Sequence, residues 1–239
     1  MERYLSHLLA VSLVLCMCGP ARAGDATVAV AANFLTTAEK IAEAYTDASG
    51  HKIALAHGST GRLYAQIRSG APFDVFLSAD AARPARLAEE GRSGSPTTYA
   101  LGQLVLLVAP DAGLDLAGQR IALADPEIAP YGQAAVEAMG TLGLSNDMVM
   151  SLLADSVGQA ASIFATGNAD AAFVAAALVP DIRRPHDVIA MEGRHAPIRQ
   201  DAVLLARGVG NPAASGFFAF ISSPDAHRII ADAGFGVPE

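Results

Sequence analysis

The chain has 239 residues and a formal net charge of −8, since 16 Lys and Arg stand against 24 Asp and Glu. This balance argues against a nucleic-acid partner, because a binding face would need Lys and Arg to neutralise phosphates. It does not argue against a small anion, since N–H and O–H donors need no net positive charge around them. The length is sufficient for one large or two small domains with extensive cores.

The first residues have the pattern of an export signal. Arg3 supplies the positive start, and residues 8–18 form an apolar stretch too short to span a bilayer. The small-x-small pattern that ends at Ala23 is typical of a signal-peptidase site. We therefore predict cleavage after Ala23 and a freely soluble exported protein of residues 24–239. Both cysteines of the chain fall in the removed segment, so this protein would have no thiol and no disulfide.

Strands and helices alternate along the remainder of the chain. A strand at 27–31 precedes a helix whose apolar residues recur three and four positions apart. A second strand at 52–56 precedes a polar turn at 58–61 and another helix. We predict one long strand at 101–109 that crosses into a second lobe, and a buried segment at 148–153. Further strands are predicted at 72–77, 120–124, 171–174, 188–191 and 202–206.

This alternation predicts an α/β fold with two lobes, each a mostly parallel sheet flanked by helices, and a ligand in the cleft between them. We place the first lobe at 24–103 plus 200–239 and the second lobe at 104–199. The chain then crosses twice between the lobes, which is the arrangement of a hinged clamp that closes around a ligand.

Polar residues follow the first two strands. Asn33 comes directly after the first, and Ser59 and Thr60 lie in the turn after the second. Carboxyl ends of parallel strands meet at the edge where open α/β sheets bind ligands, and helix N-termini there suit an anion. Taken singly, Asn33 could instead cap a helix, and Ser59 and Thr60 could be ordinary turn formers. The turn has neither the ending of a nucleotide phosphate loop nor the spacing of a hydrolase nucleophile.

Other polar residues give weaker signals. Tyr131 lies in a Pro-x-Gly turn, where its side chain could cover the core or direct its hydroxyl to an anion. Asp74 and Asp80 flank the end of a predicted strand and suit turn and capping roles, since no base or nucleophile accompanies them. The histidines that follow the export signal lack the spacing of a metal site. We therefore predict no enzyme activity, no cofactor and no metal ligated directly by side chains.

Several segments together resemble the periplasmic molybdate-binding proteins of ABC transporters. The resemblance runs in order through the chain after the export signal, and it rests on Ala31–Phe34, Gly58–Ile67, Gly70–Asp80, Ala124–Glu127 and Gly234–Gly236. It implies a two-lobed periplasmic binding protein fold of type II that holds one tetrahedral oxyanion, molybdate or tungstate, in the cleft. It also implies delivery of this ligand to a membrane permease, and we expect the binding protein itself to be a monomer.

The resemblance also implies which residues bind the anion. Asn33 matches the family's donor after the first strand, Thr60 matches a hydroxyl donor in the next turn, and Ser59 is the adjacent hydroxyl. In the second lobe the matching positions are Tyr131 and the backbone N–H of Val157.

Two further positions complete the set, Ala32 and Ala175. Ala175 stands where many members of the family carry a tyrosine, so one hydroxyl contact is missing there. We hypothesise that Tyr131 supplies this contact from the opposite side. Two alternatives stay open, a binding protein for another oxyanion such as sulfate or phosphate, and a periplasmic phosphoester hydrolase on the same scaffold.

Overall fold

The computed structural model describes residues 24–145 and 147–238. The predicted export signal, its cleavage site and both cysteines lie outside the described residues. The strands are β1 Asp25–Ala31, β2 Lys52–Gly58, β3 Val75–Leu77, β4 Thr97–Gly102, β5 Leu104–Val108, β6 Arg120–Ala124, β7 Met150–Ala154, β8 Ala171–Ala175, β9 Asp187–Ala190 and β10 Ile198–Leu204. The α-helices are α1 Leu35–Ser49, α2 Thr60–Arg68, α3 Ala82–Glu89, α4 Pro130–Thr141, α5 Val157–Ala165, α6 Pro212–Phe220 and α7 Pro224–Asp232. Short 3-10 helices occupy Ala32–Phe34, Ala176–Asp181 and Ala206–Gly210.

The strands form two five-stranded sheets, with orders β2-β1-β3-β10-β4 and β7-β6-β8-β5-β9. We refer to each sheet with its helices as the first and the second lobe. The predicted two-lobed α/β class is confirmed, and both sheets are mixed rather than wholly parallel. In each sheet a single strand, β10 or β5, runs antiparallel to both of its neighbours. Each is the first strand after the chain has crossed from the other lobe, so it needs no helical crossover from a parallel neighbour.

The first crossing lies at Gln103. The prediction of one continuous strand at 101–109 was wrong, because β4 ends at Gly102 in the first sheet and β5 begins at Leu104 in the second. The backbone carbonyl of Gln103 accepts a hydrogen bond from the N–H of Ala176, at 2.9 Å. The return crossing runs between β9 and β10. Strand β10 begins at Ile198, earlier than the apolar pattern predicted.

Each lobe has its own apolar core. In the first lobe the predicted face of α1 is confirmed, since Ala38 and Ile41 are fully buried against the sheet. In the second lobe the prediction of a buried segment at 148–153 was wrong. Met150 and Leu153 are 59% and 61% exposed, because β7 is the edge strand of its sheet. The three central strands of that sheet, β6, β8 and β5, carry the core, with β5 and β8 buried along their whole length.

Candidate functional site

Four helical segments begin around one small cavity between the two lobes. The 3-10 helix after β1 and helix α2 after β2 approach it from the first lobe, and α4 and α5 approach it from the second. Because each follows the carboxyl end of a strand, their N-termini face the same space. The cavity is lined by Ala31, Ala32, Asn33, Ser59, Thr60, Ala79, Ala129, Pro130, Tyr131, Ser156 and Val157.

Asn33 lies in the 3-10 helix after β1 and is 3% exposed. Its side chain does not cap a helix, since neither this 3-10 helix nor α1 has a side-chain cap hydrogen bond. The Asn33 amide instead donates from Nδ2 to Oε1 of Gln200, at 3.0 Å. This bond fixes the plane of the amide, and it leaves the second N–H of the amide group without an assigned acceptor.

Ser59 and Thr60 stand at the start of α2. The predicted turn at 58–61 is shorter in the structure, because β2 runs through Gly58 and α2 begins at Thr60. Ser59 occupies the N-cap position, but its side chain makes no capping bond, and its buried Oγ has no hydrogen-bond partner among the described residues. The Thr60 Oγ1 accepts a hydrogen bond from the N–H of Ala79 at 3.1 Å, so its own proton is left for another acceptor.

The second lobe contributes the first turns of α4 and α5. Tyr131 is the second residue of α4 and is 2% exposed, and the N-cap residue Ala129 has no side chain able to cap. Val157 is the first residue of α5 and is 4% exposed. Its neighbour Ser156 caps this helix, since Oγ accepts a hydrogen bond from the N–H of Gln159 at 3.3 Å. The first N–H groups of both helices have no acceptor within their own helix.

The Tyr131 hydroxyl is buried at the crossing between the lobes. It packs against the α-carbon of Gly102, at a distance that would exclude a β-carbon there. Asn33, the backbone of Gln103 and Gln200 surround it, yet none forms a hydrogen bond of ordinary geometry with it. Burial raises the pKa of the Tyr131 hydroxyl above its usual value, and these polar groups only partly oppose that rise. The hydroxyl is therefore a neutral donor at physiological pH.

The sequence patterns missed a buried polar network behind Asn33. Gln200 on β10 is fully buried, and its Oε1 is shared by Asn33 and by the hydroxyl of Tyr99, at 3.2 Å. The Tyr99 hydroxyl also lies 3.1 Å from the carbonyl oxygen of Ser78. Burial raises the pKa of Tyr99 well above its usual value, so this hydroxyl stays protonated. In the sequence, the only indication of this network is the polar pair Gln200 and Asp201, which stands directly before the apolar run at 202–206.

Three comparisons with known proteins identify the relatives of this chain. A family model described as bacterial extracellular solute-binding protein matches residues 26–236. The chain belongs to this family. The molybdate-binding protein ModA of Rhodobacter capsulatus is 41% identical to it over 236 residues, which cover 95% of this chain and 94% of that protein. ModA of Azotobacter vinelandii is 38% identical, over 91% and 92% of the two chains. The solved structure of an Azotobacter vinelandii periplasmic molybdate-binding protein superposes with a TM-score of 0.81 at 35% identity, covering 90% of this chain and all of that one.

The site of this solute-binding protein is uncharged. Among the residues that the structure describes, the lining contains no Asp, Glu, Lys, Arg or His. Six of the seven positions expected at the site line the cavity. Ala175 does not, because it lies fully buried at the end of β8, where it pairs with Leu104. Asp80 directly follows the lining residue Ala79. Its carboxylate accepts a hydrogen bond from the N–H of Arg83 at 2.9 Å and forms an ion pair with the guanidinium of the same residue.

Two further observations concern the part of the chain at 24–145 and 147–238. It contains no cluster of three or more side chains suited to hold a metal ion. It also contains no helix long and apolar enough to cross a membrane.

The donors at the cavity are hydroxyls, one amide and backbone N–H groups at helix starts. Such a set suits an anion, since helix N-termini carry a partial positive charge.

Proposed function

We propose that this protein captures molybdate, and also tungstate, outside the cytoplasm and delivers it to the permease of an ABC transporter. One observation carries the proposal: two buried hydroxyls, Ser59 Oγ and Tyr131 Oη, have no hydrogen-bond partner within 24–145 and 147–238, and they lie beside a cavity at which four helical segments begin. A buried donor without an acceptor costs about 1–3 kcal/mol, which an anionic ligand would offset. The names of the relatives, molybdate-binding proteins at 41% and 38% identity, support the choice of anion.

The proposed ligand contacts are made by neutral donors. Asn33, Ser59 and Thr60 act from the first lobe, and the Tyr131 hydroxyl and the Val157 N–H act from the second. Hydrogen bonds to a charged group contribute about 1.5–3 kcal/mol each, so about six of them suffice for tight binding after the cost of closure. Because no carboxylate lines the cavity, a protonated oxyanion such as hydrogen phosphate would leave its own proton without an acceptor.

An oxyanion can enter the cavity only if the lobes part, because the residues that would bind it are buried between them. We propose that the lobes, residues 24–103 with 200–239 and residues 104–199, part at the two crossings and close again over the ligand. In the closed complex the Tyr131 hydroxyl would replace the tyrosine that Ala175 does not provide. The export signal would be removed after Ala23, and the binding protein would act as a monomer.

Calorimetry of residues 24–239 with molybdate, tungstate, sulfate and phosphate tests this proposal. We expect molybdate and tungstate to bind with similar affinity, and sulfate and phosphate to bind at least about 100-fold more weakly, a difference of about 2.7 kcal/mol. Preferred binding of sulfate or phosphate would reassign the ligand. Turnover of a phosphoester by the pure protein would replace binding with catalysis.

The same titrations test the residues. Asn33→Ala and Thr60→Ala are each expected to weaken molybdate binding by about tenfold or more, because each removes a donor to a charged ligand. Thr46→Ala is the matched control, since Thr46 lies on α1 in the same lobe and bonds the carbonyl of Ala42 instead. Unchanged affinity in both site variants would show that the anion binds elsewhere.

A further inference from the structure

The two lobes touch through backbone atoms beside the cavity. The N–H of Gly61, the second residue of α2 in the first lobe, donates to the carbonyl oxygen of Ile128 at 2.8 Å. Ile128 lies in the turn between β6 and α4 in the second lobe. Both partners are next to lining residues, since Gly61 follows Thr60 and Ile128 precedes Ala129. Because its two partners belong to different lobes, this hydrogen bond would be broken if the lobes moved apart.

The approach at Gly61 leaves no room for a side chain. A β-carbon on Gly61 would lie 2.8 Å from the Ile128 carbonyl oxygen and 3.0 Å from its α-carbon. Both are backbone atoms, which cannot rotate away as the end of a flexible side chain can. A β-carbon would also meet the Nη2 of Arg83 at 3.2 Å. A methyl group at position 61 would thus hold the two backbones apart.

The local conformation gives no other reason for a glycine. Gly61 is not among the described glycines with a positive φ, so its backbone is one that any residue adopts. Within a helix, alanine is favoured over glycine, which loses more conformational freedom on folding. The requirement for glycine at this position comes from the facing lobe, not from α2 itself.

Two side-chain contacts between the lobes lie near the hydrogen bond of Gly61 with Ile128. Arg62 pairs with Asp155 at 2.6 Å, and Arg83 Nη2 donates to the carbonyl of Glu127 at 3.3 Å. The side chains of Arg62 and Asp155 are 53% and 59% exposed, and ion pairs of this kind contribute little. The backbone contact of Gly61 is the one that a small substitution can block.

We propose that Gly61 is a positioning residue for ligand capture: its missing side chain lets α2 and the β6–α4 turn meet, which completes closure around the anion. This inference rests on the proposed function. A contact made only in the closed state adds its free energy to ligand affinity, and blocking it lowers that affinity although no atom of Gly61 needs to touch the ligand.

Gly61→Ala is compared with Gly140→Ala by calorimetry with molybdate. Gly140 is the matched control, since it is also helical, has no positive φ and has nothing within 4 Å of a β-carbon. We expect Gly61→Ala to weaken binding by about tenfold or more and Gly140→Ala to change it less than about twofold. Thermal unfolding without ligand should show Gly61→Ala to be at least as stable as the parent, because alanine favours the helix. Equal affinity in the two variants would overturn the proposal.

Closure is measured separately, so that failure of the proposed ligand does not decide the question. The predicted mature chain has no cysteine, so spin labels are placed on Glu89→Cys in the first lobe and Ala165→Cys in the second, both exposed positions. Pulsed electron resonance then gives the distance between the lobes with and without molybdate. We expect the parent to populate a short distance that the Gly61→Ala variant lacks. If molybdate shortens the distance equally in both proteins, the role of Gly61 is overturned. If molybdate does not shorten it even in the parent, the result counts against the proposed ligand instead.

Discussion

The two lobes repeat one topology and use it differently. The unit β1–α1–β2–α2 of the first lobe corresponds to β6–α4–β7–α5 of the second, because the sheet orders β2-β1-β3 and β7-β6-β8 are equivalent. Ser59 and Ser156 therefore occupy the same place, the N-cap of the last helix in each unit. The oxygen of the Ser156 hydroxyl accepts a hydrogen bond from the N–H of Gln159, whereas the buried Ser59 hydroxyl neither donates to nor accepts from any of the described residues.

This difference shows what topology fixes and what it leaves open. Equivalent strand orders bring equivalent helix starts to the cavity from both sides. Which atoms remain free at those helix starts depends on local hydrogen bonds. The first lobe offers side-chain donors from Asn33, Ser59 and Thr60. The second offers backbone N–H groups and the hydroxyl of Tyr131. Its other lining residues are Ala129, Pro130, Val157 and Ser156, whose oxygen caps α5.

The sharpest test of this difference removes one serine hydroxyl at a time. Ser59→Ala is expected to weaken molybdate binding by about tenfold or more, because it deletes a free donor to a charged ligand. Ser156→Ala should leave affinity within about threefold but lower the free energy of unfolding by about 1 kcal/mol, the usual cost of a lost N-cap. Calorimetry and denaturant unfolding measure the two effects. A Ser156→Ala variant with the larger loss of affinity would reverse the assignment.

A smaller change in affinity, with an opposite change in stability, is expected for Tyr131→Phe. Removing the hydroxyl should weaken molybdate binding by about five- to tenfold, since one donor to the anion is lost. Without ligand the variant should unfold at a higher temperature than the parent, because a buried hydroxyl without a partner is destabilising. Calorimetry and thermal unfolding without ligand make the comparison. A variant that is less stable and binds normally would indicate that the hydroxyl has a structural role only.

The smallest effect is expected at Asp170, which directly precedes β8 and so lies at the end of the second sheet opposite to the cavity. Asp170 accepts from the N–H and the guanidinium of Arg120, and these hydrogen bonds lower the pKa of the carboxyl group to about 2. Asp74 is its counterpart in the first lobe, where it accepts from the N–H of Thr27 at 2.8 Å. Since the Asp170 side chain is 35% exposed, Asp170→Asn should lower the free energy of unfolding by less than about 1 kcal/mol.

The pH dependence of this effect has a definite sign. A carboxyl group with a lowered pKa stabilises the folded state above its unfolded pKa, near 4, and this contribution is lost as pH falls through about 2. Denaturant unfolding at pH 7 and pH 3 should therefore show a smaller difference between parent and variant at the lower pH. Molybdate affinity at pH 7 should not change. A difference that grows on acidification would contradict the assigned pairing.

Local patterns predicted residues that line the cavity, but not the contacts that hold these residues in place. Polar residues directly after apolar strands identified Asn33, Ser59 and Thr60, because a strand end followed by a helix start is a short-range pattern. The hydrogen bond between Asn33 and Gln200 joins residues 167 positions apart, and no local pattern indicates it. The same limit explains the wrong prediction at 148–153, since an apolar strand at a sheet edge and one at its centre have similar sequences.

The sequence by itself determined the alternation of strands and helices, the buried face of α1 and the polar strand ends at which a ligand is expected. These features depend on backbone preference and on periodic burial, which act over a few residues. Only the tertiary structure decided that β5 and β10 run antiparallel, that Ser156 caps its helix while Ser59 has no hydrogen-bond partner among the described residues, and that Gly61 meets Ile128. These outcomes depend on which distant surfaces pack together, because a hydrogen-bond partner or a close approach exists only once both lobes are in place.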